Sequence, residues 1–489
     1  MWTKETLQKA LKQKLENYRF IVVSNREPYI HEYSGKKVKW VKAISGLVIA
    51  LDPVLQASEG IWVAYGSGDA DKDAVDKDDC VRVPPDNPKY TLKRIWMDKE
   101  EENGYYYGYS NQALWPLSHI SYQKPSFDEH HWEYYKKINK RFAEAVCGMM
   151  NSDKSFVWLQ DYHLTLCAKY IKKDHPDAIV SLFWHIPWPN PEVFRICPQK
   201  KEILEGLLSC DLLGFHIRYH CHNFLQTIEQ ELEAKVDWEE LSVTYKGHKT
   251  MVGPFPISVD YAAISEAAKT KEVTLATQTT IPEEIDPPYD HLAIGIDRVD
   301  YTKGIIERIR GVDRFLEKYP QYQGKFVFMQ IGALSRIHIK AYKQLIDNIQ
   351  AIAEEVNWKY RSGYWYPIVV MNKRLDYTSH MAYYRMCDLC LVSSLHDGMN
   401  LVAKEFLSAN VDEKGMLLLS HFTGAAREFE KDAVMVNPYD PDGFADALRE
   451  ALELKEKDRK KRIQRMRNII SDNNIYTWAG KFISDLIKL

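Results

Sequence analysis

HLAIGIDRVDYTKG, residues 291–304, joins an unbroken apolar run to a polar turn ending in glycine. Apolar and polar residues do not alternate in HLAIGID (291–297), so it reads as a strand buried on both faces. Gly304 frees the turn, and a helix begins after it. Arg298 and Lys303 therefore flank a strand-to-helix turn at the carboxyl end of a strand, where open α/β sheets bind ligands. Two readings stand. A helix N-terminus favours anions, and two cations beside it suit a diphosphate; the alternative is a pair of surface cations next to a capping turn.

The same alternation extends in both directions. Downstream lie KFVFMQIG (325–332), PIVVMN (367–372), DLCLVSS (388–394), GMLLLS (415–420) and AVMVNP (433–438). Upstream, FIVVSN (20–25) leads to GLVIALDPVLQA and FVWLQDY (156–162) to LTLCAKYIKK. AIVSLFWHI (178–186) leads to KKEILEGLL, and DLLGFHI (211–217) to a helix around HNFLQTIEQEL. Buried runs separated by amphipathic helices predict parallel sheets with right-handed crossovers, an α/β fold. SVTYKGHKTMVGPFPISVD (242–260) breaks the alternation and reads as a hairpin with a Pro-rich exit. The polar stretch 270–290 reads as the interdomain boundary. The expected organisation is a first domain over 1–260, a second over 261–455 and a C-terminal helix over 456–489, with the cleft between the domains as the default binding site.

A net charge of -3 leaves no general affinity for nucleic acid or an anionic membrane, so any basic site must be local. The charged N-terminus lacks the apolar core of a signal peptide, and no run reaches the roughly 18 apolar residues of a spanning helix. Eight scattered cysteines fit a reducing cytosol, and Cys387 and Cys390 read as buried strand residues. KEKDRKKRIQRMRN (455–468) reads as a solvated helix face. GDADKDAVDKDDC (68–80) spaces Asp69, Asp71 and Asp73 like a calcium loop. Ala74 and Cys80 occupy the positions that need Gly and Glu, so it reads as a solvated acidic loop. His216, His220, Cys221 and His222 crowd together without a partner pair at metal-ligand spacing, so neither a metal nor a cofactor is expected. A homo-oligomer is compatible with the pattern, although no stretch singles out an interface.

Three further segments carry candidate chemistry. In HIPWPNPE (185–192), Pro187, Pro189 and Pro191 fix the backbone so that His185 is presented at a sheet's carboxyl edge. HDGMNLVAKE (396–405) places Asp397 in a strand-to-helix loop, with Glu405 eight residues on to accept from sugar hydroxyls and amides around Asn400 to Val402 to meet phosphate. QDYH (160–163) ends a strand with Asp161 and His163.

In order, SNR, the Gly46 loop, SNQALWP, QDYHL, HIPWP, DRVDYTKG, LSR and DGMNLVAKE resemble the retaining glycosyltransferases of the trehalose-6-phosphate synthase family. The likeness runs from VVSNRE (22–27) to NPYD (437–440). It implies a GT-B fold of two facing Rossmann-like domains, with the C-terminal helix crossing back to the first. It also implies cytoplasmic, metal-independent transfer of glucose from a nucleotide donor, UDP-glucose first among them, to glucose 6-phosphate. By motif, Arg298 and Lys303 would hold the donor diphosphate, and Gly46 would let backbone approach it. His185 and Asp397 would bind donor-glucose hydroxyls, Glu405 the ribose, and Asn400, Leu401 and Val402 the phosphate. Arg26 and Arg336 would clamp the acceptor 6-phosphate in a pocket lined by Tyr106 and Trp115 with Tyr65 nearby. Asp161 would bind acceptor hydroxyls; retention implies same-face attack with the leaving phosphate taking the acceptor proton, and Asp161 is the residue that could act as a base in its stead.

The departures from the family pattern are Ser45 before Gly46, Gln160 for His, His396 for Arg, Tyr65 for Trp, and the bulky Trp184 and Trp188. None removes a named cation. Tyr65 and Gln160 leave the acceptor open, and REPY (26–29) is similar to the sister group that glucosylates glycerol 3-phosphate. A pseudo-glycosyltransferase joining a cyclitol phosphate and a non-catalytic sugar-phosphate sensor are the remaining readings. No second hydrolase-like domain follows residue 455, so a fused phosphatase is not expected.

Overall fold

The computed structural model describes residues 2–14, 18–43, 46–150 and 155–489. They form two compact units, one of Met1–Ile257 with Ile475–Leu489 and one of Ser258–Asn474.

The first unit contains, in chain order, Arg19–Arg26 (β1), Tyr29–Ser34 (β2), Lys37–Lys42 (β3), Ile61–Tyr65 (β4), Cys80–Val83 (β5) and Tyr90–Ile95 (β6). Ser155–Gln160 (β7), Ile179–Phe183 (β8), Leu212–Phe215 (β9), Lys235–Asp237 (β10), Ser242–Tyr245 (β11) and His248–Pro254 (β12) follow. Its large sheet has the order β10-β11-β12-β9-β8-β7-β1-β4-β6-β5. From β12 to β6 every pairing is parallel. Chain order runs outward from β1 in both directions, which is the doubly wound pattern, and its switch point lies between β1 and β7.

The second unit holds His291–Arg298 (β13), Phe326–Ala333 (β14), Ile368–Met371 (β15), Leu389–Val392 (β16), Met416–Ser420 (β17) and Val434–Val436 (β18). Their order is β15-β14-β13-β16-β17-β18, parallel throughout, with the switch point between β13 and β16. Burial explains the unbroken apolar runs: from Leu292 to Asp297 and from Phe326 to Gly332 every residue is buried.

Several expectations change. The stretch 242–260 forms the hairpin β11–β12, yet β12 also pairs in parallel with β9 and so extends the main sheet. The polar stretch 270–290 is folded rather than a linker: it contains helices Lys271–Gln278 and Thr280–Glu284, and Glu284 accepts hydrogen bonds from Lys373 (2.8 Å) and Tyr383 (2.7 Å). The acidic loop 68–80 is not solvated throughout. Asp71 is fully buried and paired with the equally buried Arg94 at 2.7 Å. Ser45, the departure at the donor loop, lies outside the described residues. Among the described residues no helix is long and apolar enough to cross a membrane.

One element has no counterpart in the sequence reading. Asn103–Leu114 winds as a π-helix, where each carbonyl meets the amide five residues on. Side chains reinforce that spacing, because Asn111 Nδ2 donates to the Tyr106 carbonyl (2.6 Å) and Gln112 Nε2 to that of Tyr107 (3.0 Å). Gly104 and Gly108 let the segment close on helix Glu129–Met149; a Cβ there would lie 2.4 Å from the Tyr134 ring and 2.6 Å from that of His131.

Candidate active site

In the second unit the decisive residues converge on the switch point. β13 ends at the exposed Arg298, and Asp300 then caps a 3-10 turn over Tyr301–Lys303 by accepting from the Thr302 amide at 3.0 Å. Gly304 adopts φ +62, and a Cβ there would lie 2.2 Å from the Ser393 carbonyl oxygen, so both conformation and space demand glycine. Lys303 is thereby turned toward the loop after β16, where its Nζ lies 2.5 Å from Asp397 Oδ2. Asn400 Nδ2 and Ser394 Oγ donate to the same oxygen at 3.2 and 3.3 Å. Asn400 also caps helix Leu401–Ala409, accepting from the Ala403 amide, which leaves Leu401 and Val402 in the first turn at the positive end of the helix dipole. Glu405 lies in the second turn, where burial pushes its carboxyl up to about 7 and Tyr384 donates to it at 3.3 Å. A lysine held by Asp397, an exposed arginine and a helix N-terminus at one strand switch are equipped to hold a diphosphate.

Arg336 is placed differently from the open clamp expected. It is 8% exposed, and its Nη1 lies 2.6 Å from the Tyr342 hydroxyl and 3.3 Å from Asp300 Oδ2. Its guanidinium thus braces the DYTK turn from behind.

In the first unit, a pocket of about 270 Å³ lies at the carboxyl ends of β1 and β4. Arg26, Tyr65 and Tyr106 line it, together with Asn25, Glu27, Ser67, Glu102 and Tyr107, which sequence reasoning missed. Arg26 Nη2 donates to the Tyr106 hydroxyl at 3.1 Å, joining β1 to the π-helix. Trp115 does not line this pocket; it is buried against His119 and Tyr162. Gly46 opens helix Gly46–Ser58. Asp52 of that helix accepts from Tyr29, Lys42, Gln56 and Tyr90, tying the β2–β3 hairpin to it.

Asp161 and His185 meet at the ends of β7 and β8. Asp161 has φ +75, a costly conformation for a non-glycine residue, and its Oδ1 accepts from the amides of Tyr162 (2.9 Å) and His185 (3.1 Å). His185 Nε2 lies 2.9 Å from Oε1 of the buried Gln160, and because that oxygen can only accept, the proton belongs on Nε2. Burial depresses the imidazole to about 3, with His163 adding repulsion, so His185 is neutral at physiological pH. The neighbouring His216 donates to the His185 carbonyl (3.0 Å) and accepts from the Ile257 amide, a structural role for one member of the His216–His222 cluster.

The depressed histidine has a stability consequence. Its contribution is full above the unfolded value of 6.5 and is lost as pH falls toward about 3. Acidification from pH 7 to 5 costs about 2 kcal/mol through this residue alone. Denaturant midpoints at the two pH values should drop less in His185→Asn than in the wild type; equal drops would clear His185 of the effect.

Residues 18–488 match glycosyltransferase family 20. The chain belongs to that family. It is 32% identical over 473 residues to a UDP-forming α,α-trehalose-phosphate synthase A of Dictyostelium discoideum, covering 96% of this chain and 62% of the relative. It thus spans less than two thirds of that protein's length. An E. coli structure bound with UDP-2-fluoro glucose superposes with a TM-score of 0.85 at 30% identity, covering 96% of this chain and 99% of the other. A UDP-forming synthase from Burkholderia xenovorans in complex with glucose-6-phosphate gives 0.84 at 29%, with the same coverage. The two doubly wound sheets and this likeness place the family member in the GT-B fold class.

Proposed function

We propose that this chain is a retaining glucosyltransferase that moves glucose from UDP-glucose to glucose 6-phosphate, giving α,α-trehalose 6-phosphate. The observation that carries the reading is the Lys303–Asp397 pair at the second sheet's switch point, beside the exposed Arg298. The relatives lend support through what they are: UDP-forming synthases, one seen with a UDP-glucose analogue and another with glucose-6-phosphate.

As the donor's glycosidic bond breaks, negative charge accumulates on the departing diphosphate. Arg298, Lys303 and the first-turn amides of Leu401 and Val402 grip that charge more strongly in the transition state than in the ground state. Asp397 and the neutral His185 bind donor-glucose hydroxyls, and Glu405 the ribose. A neutral imidazole suits this role because it both donates and accepts. Arg26 holds the acceptor phosphate in the pocket that Tyr65 and Tyr106 line, and Arg336 is the second cation. Attack proceeds on the face the diphosphate leaves, and the leaving phosphate takes the acceptor proton. Asp161, held in place by two amides, orients the acceptor hydroxyl.

Tyr65 and Glu27 in the pocket favour a second reading, transfer to glycerol 3-phosphate. Incubating the protein with UDP-, ADP- or GDP-glucose and either acceptor, and measuring nucleoside diphosphate release, separates the two. Release with glucose 6-phosphate is the expected result. Release with glycerol 3-phosphate alone would promote the second reading, and none with any pair would end both.

A further inference from the structure

Arg26 and Glu27 are neighbours in sequence with opposite fates: Arg26 is exposed, whereas Glu27 is 1% exposed. Glu27 Oε1 accepts from the Ser67 amide (2.8 Å) and hydroxyl (3.1 Å), and Oε2 from Arg94 Nε (2.8 Å). Arg94, fully buried in β6, spends its other donors on the Tyr29 carbonyl (3.0 Å), the Asp71 carbonyl (3.1 Å) and Asp71 Oδ1 (2.7 Å). Asp71 also accepts from the amides of His31 (2.8 Å) and Gly68 (2.6 Å). One guanidinium thus closes residues 27–31 and 67–71 into a ring, and both Glu27 and Ser67 line the pocket that holds Arg26.

We propose that the Glu27–Arg94–Asp71 network positions Arg26 for the acceptor phosphate and makes its grip depend on the protonation of Glu27. The proposal rests on the reading of this pocket as the acceptor site. Two buried carboxyl groups share one arginine, so both do not ionise readily. Burial pushes Glu27 up to about 8; Asp71 adds to the rise and Arg94 opposes it. Asp71 is held low despite its burial by hydrogen bonds from His31 and Glu27. The charged and titratable groups around Glu27 are Arg94 from β6, Asp71 from the turn after β4, His31 from β2 and Arg26 from β1. Tyr65 ends β4, and Glu102 and Tyr107 face it from the π-helix side. The Tyr65 phenol is raised to about 12, by burial first and then by Glu102, Glu27, Tyr107 and Asp71, which marks the tyrosine as electrically in contact with the carboxylates. Glu27 therefore keeps its proton to higher pH than a free carboxyl. As pH rises through about 8 it ionises and places a negative charge beside the phosphate site.

The test is the ratio of the glucose 6-phosphate KM at pH 9 to that at pH 7. A phosphomonoester has its second pKa near about 6, so the acceptor's own charge is constant over this interval. The wild type should show a ratio of roughly fivefold, while Glu27→Gln should show a ratio near one. The UDP-glucose KM, read in parallel, should not follow. Glu27→Leu removes the acceptors for Ser67 and Arg94 and should raise the acceptor KM at pH 7 by about tenfold, far more than it lowers kcat. Should Glu27→Leu fail to fold, the near-isosteric Glu27→Gln carries the test alone. An identical pH ratio in the wild type and Glu27→Gln would overturn the proposal, as would equal shifts in both substrates' KM. Absence of transfer to glucose 6-phosphate would sink the functional reading separately. Inorganic phosphate binding, measured by calorimetry at the two pH values, then decides the network: a larger alkaline loss in the wild type than in Glu27→Gln upholds it, and equal losses reject it.

Discussion

Lys303→Ala lowers kcat by about 10²–10³-fold, the usual loss when one preorganised electrostatic group is removed from a transition state. The size follows from where the charge sits. Lys303 is one residue before the left-handed Gly304, on a turn capped by buried Asp300, and its side chain is only 14% exposed. The ammonium is aimed before substrate arrives and needs no reorganisation as the diphosphate leaves. Asp397 keeps Asn400 and Ser394 as partners in the variant, so the turn should survive and the loss should appear in turnover rather than in folding. Lys303→Arg should not restore full rate, because a planar fork does not replace a point charge at this distance from Asp397. Single-turnover rates with saturating UDP-glucose, alongside a thermal melt, check the expectation. A loss under tenfold with an unchanged melt would remove Lys303 from the chemistry.

Arg308→Met should be the most damaging single change in the second unit, costing about 3–5 kcal/mol. Arg308 is fully buried beneath the same turn. It donates to Asp297 (2.9 Å), to Gln330 (2.7 Å) and, through Nε, to Ser393 (2.9 Å). Gly295 makes room for it, since a Cβ there would lie 2.0 Å from Nη1. Methionine fills most of the volume but strands the Asp297 carboxylate. Burial already raises the pKa of Asp297, and Arg308 is the foremost group opposing that rise. Without the arginine, the carboxyl takes up a proton at higher pH. The sign is therefore fixed: the variant's deficit is larger at pH 8 than at pH 5, where protonation relieves the stranded charge. A melting midpoint lowered by roughly 10 °C is expected for a unit of this size. Arg308→Met with Asp297→Asn should regain part of the loss; if the double variant is no better than the single, the stranded charge is not the cause.

How much of this was legible depends on how each residue meets its partner. Strands buried on both faces reveal themselves without context, so HLAIGID and KFVFMQIG could be read within a residue or two of β13 and β14. The candidate site in the second unit was legible for the same reason, because DRVDYTKG and DGMNLVAKE are each local strand–turn–helix units. β6 was not. YTLKRI carries Arg94 next to its last residue, and only the distant pairing with Glu27 and Asp71 makes that arginine a core residue. Asp71 failed in the opposite direction: as one of six aspartates in 68–80 it looks solvated, and no local pattern distinguishes it from Asp69 or Asp73. The π-helix left no trace, since its period arises from Asn111 and Gln112 bonding backward and from two glycines that contact another helix. The pocket around Arg26 draws on such long-range features, so Arg26 was singled out and most of its wall was not.

The helix Ile475–Leu486 adds a consequence for the chain as it emerges from the ribosome. Its Trp478 and Phe482 pack on Trp158, with ring centroids 5.0 and 4.4 Å apart, and a Cβ on Gly214 would meet Phe482 at 2.7 Å. The first sheet therefore cannot complete its core until residues 475–486 have been translated. Residues 258–474 are by then already made and free to fold. The strands of the first sheet thus wait for a helix encoded after the whole second unit.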